Sequence, residues 1–344
     1  MEAIFTRVYV YDKDTNKIKA NFPYADSIVI TEDRNQFTNT ATVTVSHRIK
    51  TKNLAVTDIF KIQDRIAIWM GYFDDTVVGF GLKLEFEGYI SSINPNSPLI
   101  FECQDQAFLY KLEQVGALRQ TNTTLSKLLK AIYKGKTLFM DAKIGTWSVD
   151  KNATLLNVLD ELKQKLGFVS YWRNGILHVN AETLLQPEKT ILLDTHKNVP
   201  LDSNTLLIKK NSDQKTISYG ISKQSGGTKN EAWCYYRDLS NTDIIVSKTA
   251  VNGVVSKMTL PSNLSFEYVS ELAKRRLPNI DYTGVDGTIK TFGAPSVHIG
   301  DYVAIKDNDN KDLTAVYKIE SITKGFSADG YFQTIKPSKK VRNF

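Results

Sequence analysis

In GAPSVHIGDYVAIKD (residues 293–307) a histidine stands three positions before an aspartate, just ahead of an alternating apolar run. His298 beside Asp301 has the side-chain chemistry of a proton relay, in which a carboxylate orients an imidazole that takes a proton from a third group. The spacing also has a purely structural meaning. Gly300-Asp301 ahead of Val303 and Ile305 makes a tight turn into a new strand. A relay would need a nucleophile or metal placed by the rest of the chain, and no GxSxG or HExxH motif supplies one. The turn is the expected answer.

Other clusters have residue types that could do chemistry. DKDTNK (12–17) and DNDNKD (307–312) offer oxygens at alternate positions, as a calcium loop does. Their sixth positions are Lys17 and Asp312 instead of glycine, and their twelfth are Pro23 and Lys318 instead of glutamate. Polar hairpin loops are expected at both. Glu85 and Glu87 of LEFEG share one face of a strand and imitate a glycosidase carboxylate pair; a solvated strand face accounts for them equally. In EAWCYYRDL, Trp233, Tyr235 and Arg237 alternate on one side and Cys234 and Tyr236 on the other. That is a base-stacking platform or a strand with one packed face. Gly79-x-Gly81 in GFGLK lacks the lysine and following helix of a phosphate loop. No catalytic, cofactor-binding or metal-ligating residue is assigned.

Composition sets the frame for the elements that carry these residues. The chain has 344 residues, 42% apolar and 24% charged, which is ordinary globular composition for two or three domains. Its 44 Lys and Arg against 37 Asp and Glu give +7, which permits a polyanionic neighbour without demanding one. Much of the excess falls in KPSKKVRNF, expected to be a basic C-terminal tail over 336–344. Cys103 and Cys234 alone fit a reducing compartment and offer no disulfide framework. MEAIFTRVYVYDKD lacks a signal-peptide pattern, and no apolar run approaches the ~18 residues of a membrane span. A soluble protein made in the cytoplasm, with no membrane insertion, is expected.

Residues 1–105 read as short strands separated by Gly, Asn, Asp and Pro clusters, the pattern of a small barrel or sandwich. The texture then changes. Leu125, Leu128, Leu129 and Ile132 lie at helical spacing behind a Thr123 or Thr124 cap, with Gly135 expected as the C-cap. Leu155, Val158, Leu159 and Leu162 repeat the stripe between Thr154 and Gly167. Asn174-Gly175 between alternating runs predicts a type I′ hairpin. These elements make 106–182 an α/β module. Strand patterns resume over 183–335, interrupted by SFEYVSELAKRRL (265–277), whose early glutamates and late basic residues complement a helix dipole and which Pro278 is expected to stop. The fold class is mainly β with α+β, two small β-barrel (tube-like) domains flanking an α/β middle domain.

Four stretches, in this order, resemble one family. They are LEFEGYISSINPNSPLIFECQDQAFLYK, TNTTLSKLLKAI, NATLLNVLDELKQKLGFVSYWRNGILHV, and SELAKRRL followed by GTIKTFGAPSVHIGDYVAIKD. Together they touch all three modules and resemble the baseplate hub (late-control) proteins of phage tails and contractile injection machines. The resemblance implies a homotrimeric ring with pseudo-sixfold symmetry in the virion tail, adapting a sixfold tail tube to a threefold central spike. The partners it implies are a central spike protein, a tail tube or tube-initiator protein, a tape measure protein, other baseplate (wedge) proteins, and genome DNA passing through the lumen. It implies no catalysis and no cofactor. Some relatives continue into a spike or lytic domain, whereas the last strand here ends near Phe344, so a separate spike protein is expected. Two rivals stand beside this reading: a tail-associated cell-wall hydrolase using Glu85 and Glu87, and a nucleic-acid-binding β protein.

Overall fold

Alternation of apolar and polar residues in the first third produces strands with one buried face. In the computed structural model, which describes residues 4–45, 55–72, 81–173, 175–180, 189–200, 204–209, 215–238 and 243–343, these are Ile4–Tyr11, Ile18–Phe22, Ser27–Asp33, Thr40–Val45, Arg65–Tyr72, Lys83–Asn94 and Leu99–Gln104. Val8 and Val10, Ile28 and Ile30, Val43 and Val45, Ile66 and Ile68, and Phe101 all point inward and form one core. The antiparallel sheet curls around that core, but its hydrogen-bonded path ends at Ile18–Phe22, so the described strands close no barrel. The chain as a whole is mainly β, built from several sheets.

In the middle, capping chemistry sets the helices. Thr124 caps Leu125–Ile132, its hydroxyl accepting from the Lys127 N–H at 3.4 Å. Thr154 and Asn157 satisfy each other's backbone N–H groups at the start of Leu155–Leu166, and Gly167 ends that helix at φ +72°. The first helix ends differently from expectation. Its C-cap is Tyr133 in extended conformation, so Gly135 is not the cap. The hairpin of Ser170–Arg173 and Ile176–Val179 pairs Arg173 with Ile176, leaving a two-residue turn in which Gly175 takes φ +73°. Asn174 lies outside the described residues.

The last third divides in space. The strands Thr216–Lys223, Lys229–Tyr236, Ile244–Ser247 and Val254–Thr259 form one sheet. With the helix Phe266–Ile280 they join the middle helices in a shared core of Leu128, Leu159, Leu162, Cys234, Met258 and Leu272. Ser218 and Gly220 lie opposite Cys234 and Ala232; the Gly220 position faces Val269 and Ala273, and these small residues let the helix lie close. That helix runs through Pro278 instead of stopping before it. A proline in the final turn removes one N–H but leaves the next bond intact, and the Asp281 N–H reaches the Leu277 carbonyl at 3.0 Å. The remaining strands, including Thr190–Asp194, Ile289–Phe292 and Tyr302–Lys306, surround a third core of Leu193, Ile289, Val303, Ile305, Tyr317 and Ile335.

The closing hairpin joins the two β units. Its strands are Ala315–Ser327 and Gly330–Asn343, and the first pairs with Ser27–Asp33 from Phe326↔Ile28 to Ser321↔Asp33. The first and last units therefore share one sheet. The basic segment expected as a tail is part of this hairpin. Pro337 and Ser338 are buried, Lys340 pairs with Tyr317, and the Lys336 ammonium meets Glu320 at 3.2 Å. Lysine stems lie along a strand's apolar surface while their heads stay in water, so a charge run does not prevent pairing. Phe344 lies outside the described residues.

Candidate functional site

The seam between the two β units carries charge. Along Ser27–Asp33 the inward parity of Ile28 and Ile30 ends on Glu32, and along Ala315–Ser327 the parity of Ile322 ends on Lys324. A bulge supplies a third charge. Where Arg65–Tyr72 pairs with Lys83–Asn94, Ile68 faces Phe86 and Trp69 faces Leu84, leaving Glu85 as the extra residue turned inward. Glu85 is 5% exposed, whereas Glu87 stays outside with the Arg65 Nε at 2.7 Å. The shared solvated face expected for Glu85 and Glu87 does not exist, because the bulge breaks the alternation between them.

Lys324 is fully buried and its ammonium donates to Glu85 Oε2 at 2.6 Å and Ser296 Oγ at 3.0 Å, with Glu32 Oε1 at 3.5 Å. Glu32 also meets His298 Nδ1 at 2.8 Å and accepts the Ile299 N–H at 3.0 Å. Burial alone would raise the Glu32 carboxyl, but the charges of Lys324 and His298 and these hydrogen bonds hold it down at about 2. Beside it, burial pushes Asp105 up to about 7, although its carboxylate accepts the Asn39 and Ala107 N–H groups. Burial, with the Glu85 charge next, likewise pushes the Tyr331 phenol up. These groups back a cleft of about 400 Å³ lined by Glu32, Glu85, Glu87, Asp105, Trp172, Arg173 and His298, where the first, middle and last units meet.

Ser296, His298 and Glu32 have the order of a nucleophile–base–acid chain, with Oγ to Nε2 at 3.4 Å and Nδ1 to Glu32 at 2.8 Å. The serine is not available as a nucleophile. It is 4% exposed, and its hydroxyl donates to Glu85 at 2.6 Å while accepting from Lys324. The arrangement ties strands of the first and last units together through buried, hydrogen-bonded charges.

Asp301 plays the structural part. Its carboxylate accepts the His298 N–H at 3.0 Å and both guanidinium nitrogens of Arg173, at 3.2 and 3.1 Å, while its own N–H reaches the His298 carbonyl. The His298 ring turns away to Glu32. Gly300 closes this turn at φ +100°, and a Cβ there would lie 3.0 Å from Arg173 Nη1 and 3.2 Å from the Tyr171 hydroxyl. Gly300→Val is therefore expected to cost about 2–3 kcal/mol, read as a lowered midpoint of thermal unfolding; an unchanged midpoint would mean that the turn relaxes without strain.

The remaining candidates resolve as loops and packing. Asp12 accepts the Asp14 and Thr15 N–H groups while the Lys19 ammonium, 2.9 Å away, holds its carboxyl well below the usual range. Asp307 accepts from Asp309 and Asn310 in the same way. Both are Asx-type hairpin loops. Trp233 stacks on Tyr219 with centroids 4.1 Å apart, and the Lys215 ammonium lies over Tyr235 at 4.4 Å, so each ring already has a face covered from within the chain. Cys234, behind them, contacts the Ser270 carbonyl at 3.7 Å. Gly79 lies outside the described residues. Sequence reasoning missed Glu32, Ser296 and Lys324 altogether. For Glu32 and Lys324 the one local signal was a charged residue at the parity of buried isoleucines; Ser296 carried none.

No family model and no curated protein matches the chain. Solved structures do. A tail protein from Neisseria meningitidis MC58 aligns with a TM-score of 0.60 at 14% identity, covering 98% of this chain and 96% of that one. The 43 kDa tail protein of prophage MuSo2 from Shewanella oneidensis aligns at 0.59 and 13% identity, covering 98% of each chain. A chain of the Francisella PdpA-VgrG complex aligns at 0.56 and 9% identity, covering 100% of this chain and 54% of that one. At such identities the likeness is one of fold: over nearly its whole length, this chain has the fold of phage tail proteins.

Proposed function

We propose that the chain is a structural subunit of a baseplate hub, in a phage tail or a phage-derived injection machine, and carries out no reaction of its own. Three copies close a ring that joins a sixfold tail tube to a threefold central spike. The observation that supports this best is the near-complete overlap, in both directions, with whole phage tail proteins. The polar cleft agrees with it, since its buried serine is held between Glu85 and Lys324 and is not free to attack a substrate. Unfinished sheet edges agree too. Ile18–Phe22 and Val254–Thr259 each end a sheet among the described residues, with Ile18 and Val254 more than half exposed. Such edges invite pairing, and a closed ring would cover them. The spike, tube, tape measure and wedge proteins are the partners of this reading, with genome DNA passing through the lumen; its place is the virion tail, after synthesis in the host cytoplasm. No described helix is long and apolar enough to cross a membrane.

The test is native mass. Three times the chain's 38.8 kDa is expected by light scattering or native mass spectrometry. A chain that stays monomeric when concentrated, and again when mixed with a spike candidate encoded beside it, would overturn the ring.

A further inference from the structure

His298 sits at the mouth of the buried cluster. Its side chain is 29% exposed, whereas those of Glu32, Glu85 and Lys324 are 8%, 1% and 0% exposed. Charged and titratable groups face it from every neighbouring element. Glu32 lies 2.8 Å from Nδ1, Glu85 3.7 Å from Nε2, and the Lys324 ammonium 3.3 Å from both ring nitrogens. From its own segment, Ser296 Oγ lies 3.4 Å from Nε2 and Asp301 holds its backbone N–H. Arg173, committed to Asp301, lines the cleft with Asp105 and the Arg65–Glu87 pair, and the Tyr331 phenol feels the Glu85 charge behind.

The charges of the cluster do not balance while the ring is neutral, because two carboxylates then face one ammonium. Glu32 keeps its charge, so Nδ1 must be the donor to it, and a second proton can enter only at Nε2. There Ser296 Oγ can accept it, since that hydroxyl gives its own proton to Glu85. The resulting imidazolium meets two carboxylates, at 2.8 and 3.7 Å, against one ammonium at 3.3 Å, so attraction exceeds repulsion. Histidine is also the side chain whose charge ordinarily changes between about pH 5 and 8.

We propose that His298 is a proton-operated clasp between the first and last β units: taking a proton at Nε2 completes the charge balance of Glu32, Glu85 and Lys324 and tightens the seam, and losing it loosens the 293–301 segment against Ser27–Asp33. The sign follows from linkage. A proton that Glu32 and Glu85 help to hold across the closed seam favours closing, so the seam is tighter with the ring charged than with it neutral. The carboxylate of Glu32, held down at about 2, stays charged where a histidine ordinarily titrates, so mild acid does not open the clasp from the other side.

Hydrogen exchange on the full chain, corrected for intrinsic rates, tests this. Protection of peptides covering 293–301 and 27–33 is expected to fall about threefold or more between about pH 5.5 and pH 8.5, and to fall clearly less in His298→Gln, where only the burial-raised Asp105 still loses its proton in this range. Glu32→Gln removes one carboxylate, balances the cluster without the proton, and is expected to weaken the response as well. The same pH response in wild type and both variants, or none in wild type, overturns the clasp. The protein has four histidines, and His298 is the ring-carbon NMR resonance missing from His298→Gln. If that variant does not fold, Glu32→Gln and the wild-type titration decide. No histidine resonance shifting in step with the protection of 27–33 would overturn the clasp.

Discussion

Lys324→Ala is expected to cost about 3–5 kcal/mol, because it leaves two buried carboxylates without their ammonium. Glu85 would lose a 2.6 Å bond in a site where its side chain is 1% exposed, and Ser296 would lose its donor. Calorimetry or denaturant unfolding should show the midpoint dropping sharply, with the hairpin Ala315–Ser327 and Gly330–Asn343 exchanging early. Lys324→Met combined with Glu85→Gln removes both members of the closest pair and is expected to recover most of the loss, since an unpaired buried charge is what costs most. If the single variant unfolds like wild type, water reaches the cluster and the seam is held by backbone pairing alone.

Gly88→Val is expected to be as damaging through sterics. A Cβ at Gly88 would lie 2.2 Å from the Gln104 carbonyl oxygen and 2.8 Å from the Phe86 ring. The oxygen belongs to the strand Leu99–Gln104, which is hydrogen-bonded on both sides, by Thr40–Val45 and Lys83–Asn94, and so cannot step away. Separating these strands would also disturb the bulge that aims Glu85 and the Asp105 contacts to Asn39 and Ala107. A loss of about 3 kcal/mol or more is expected, seen as insoluble expression or a much lower unfolding midpoint. A soluble Gly88→Val protein with the wild-type midpoint would show that the two strands can part at this point.

What the sequence determined by itself was local. The Thr154 cap with its Asn157 partner, the left-handed Gly167, the two-residue turn before Ile176 and the turn at Gly300 each depend on hydrogen bonds or torsions within a few residues. Alternation likewise marked the buried face of strands such as Ser27–Asp33 and Thr40–Val45, and the change from strand to helix patterns was the basis for expecting three modules. Tertiary structure decided the rest. Alternation does not say which strand lies alongside, so the pairing of Ser27–Asp33 with Ala315–Ser327 was invisible, and with it the meeting of Glu32 and Lys324. The basic run after Ile335 read as a tail by composition alone, until strand pairing gave its backbone partners. One bulge separated Glu85 from Glu87, and a helix packed on a sheet carried residues 216–280 into the core of the middle unit. His298 shows the division most clearly. Its turn with Asp301 is fixed by three residues of chain, whereas the partner of its ring, Glu32, is brought there by the pairing of strands from opposite ends of the chain.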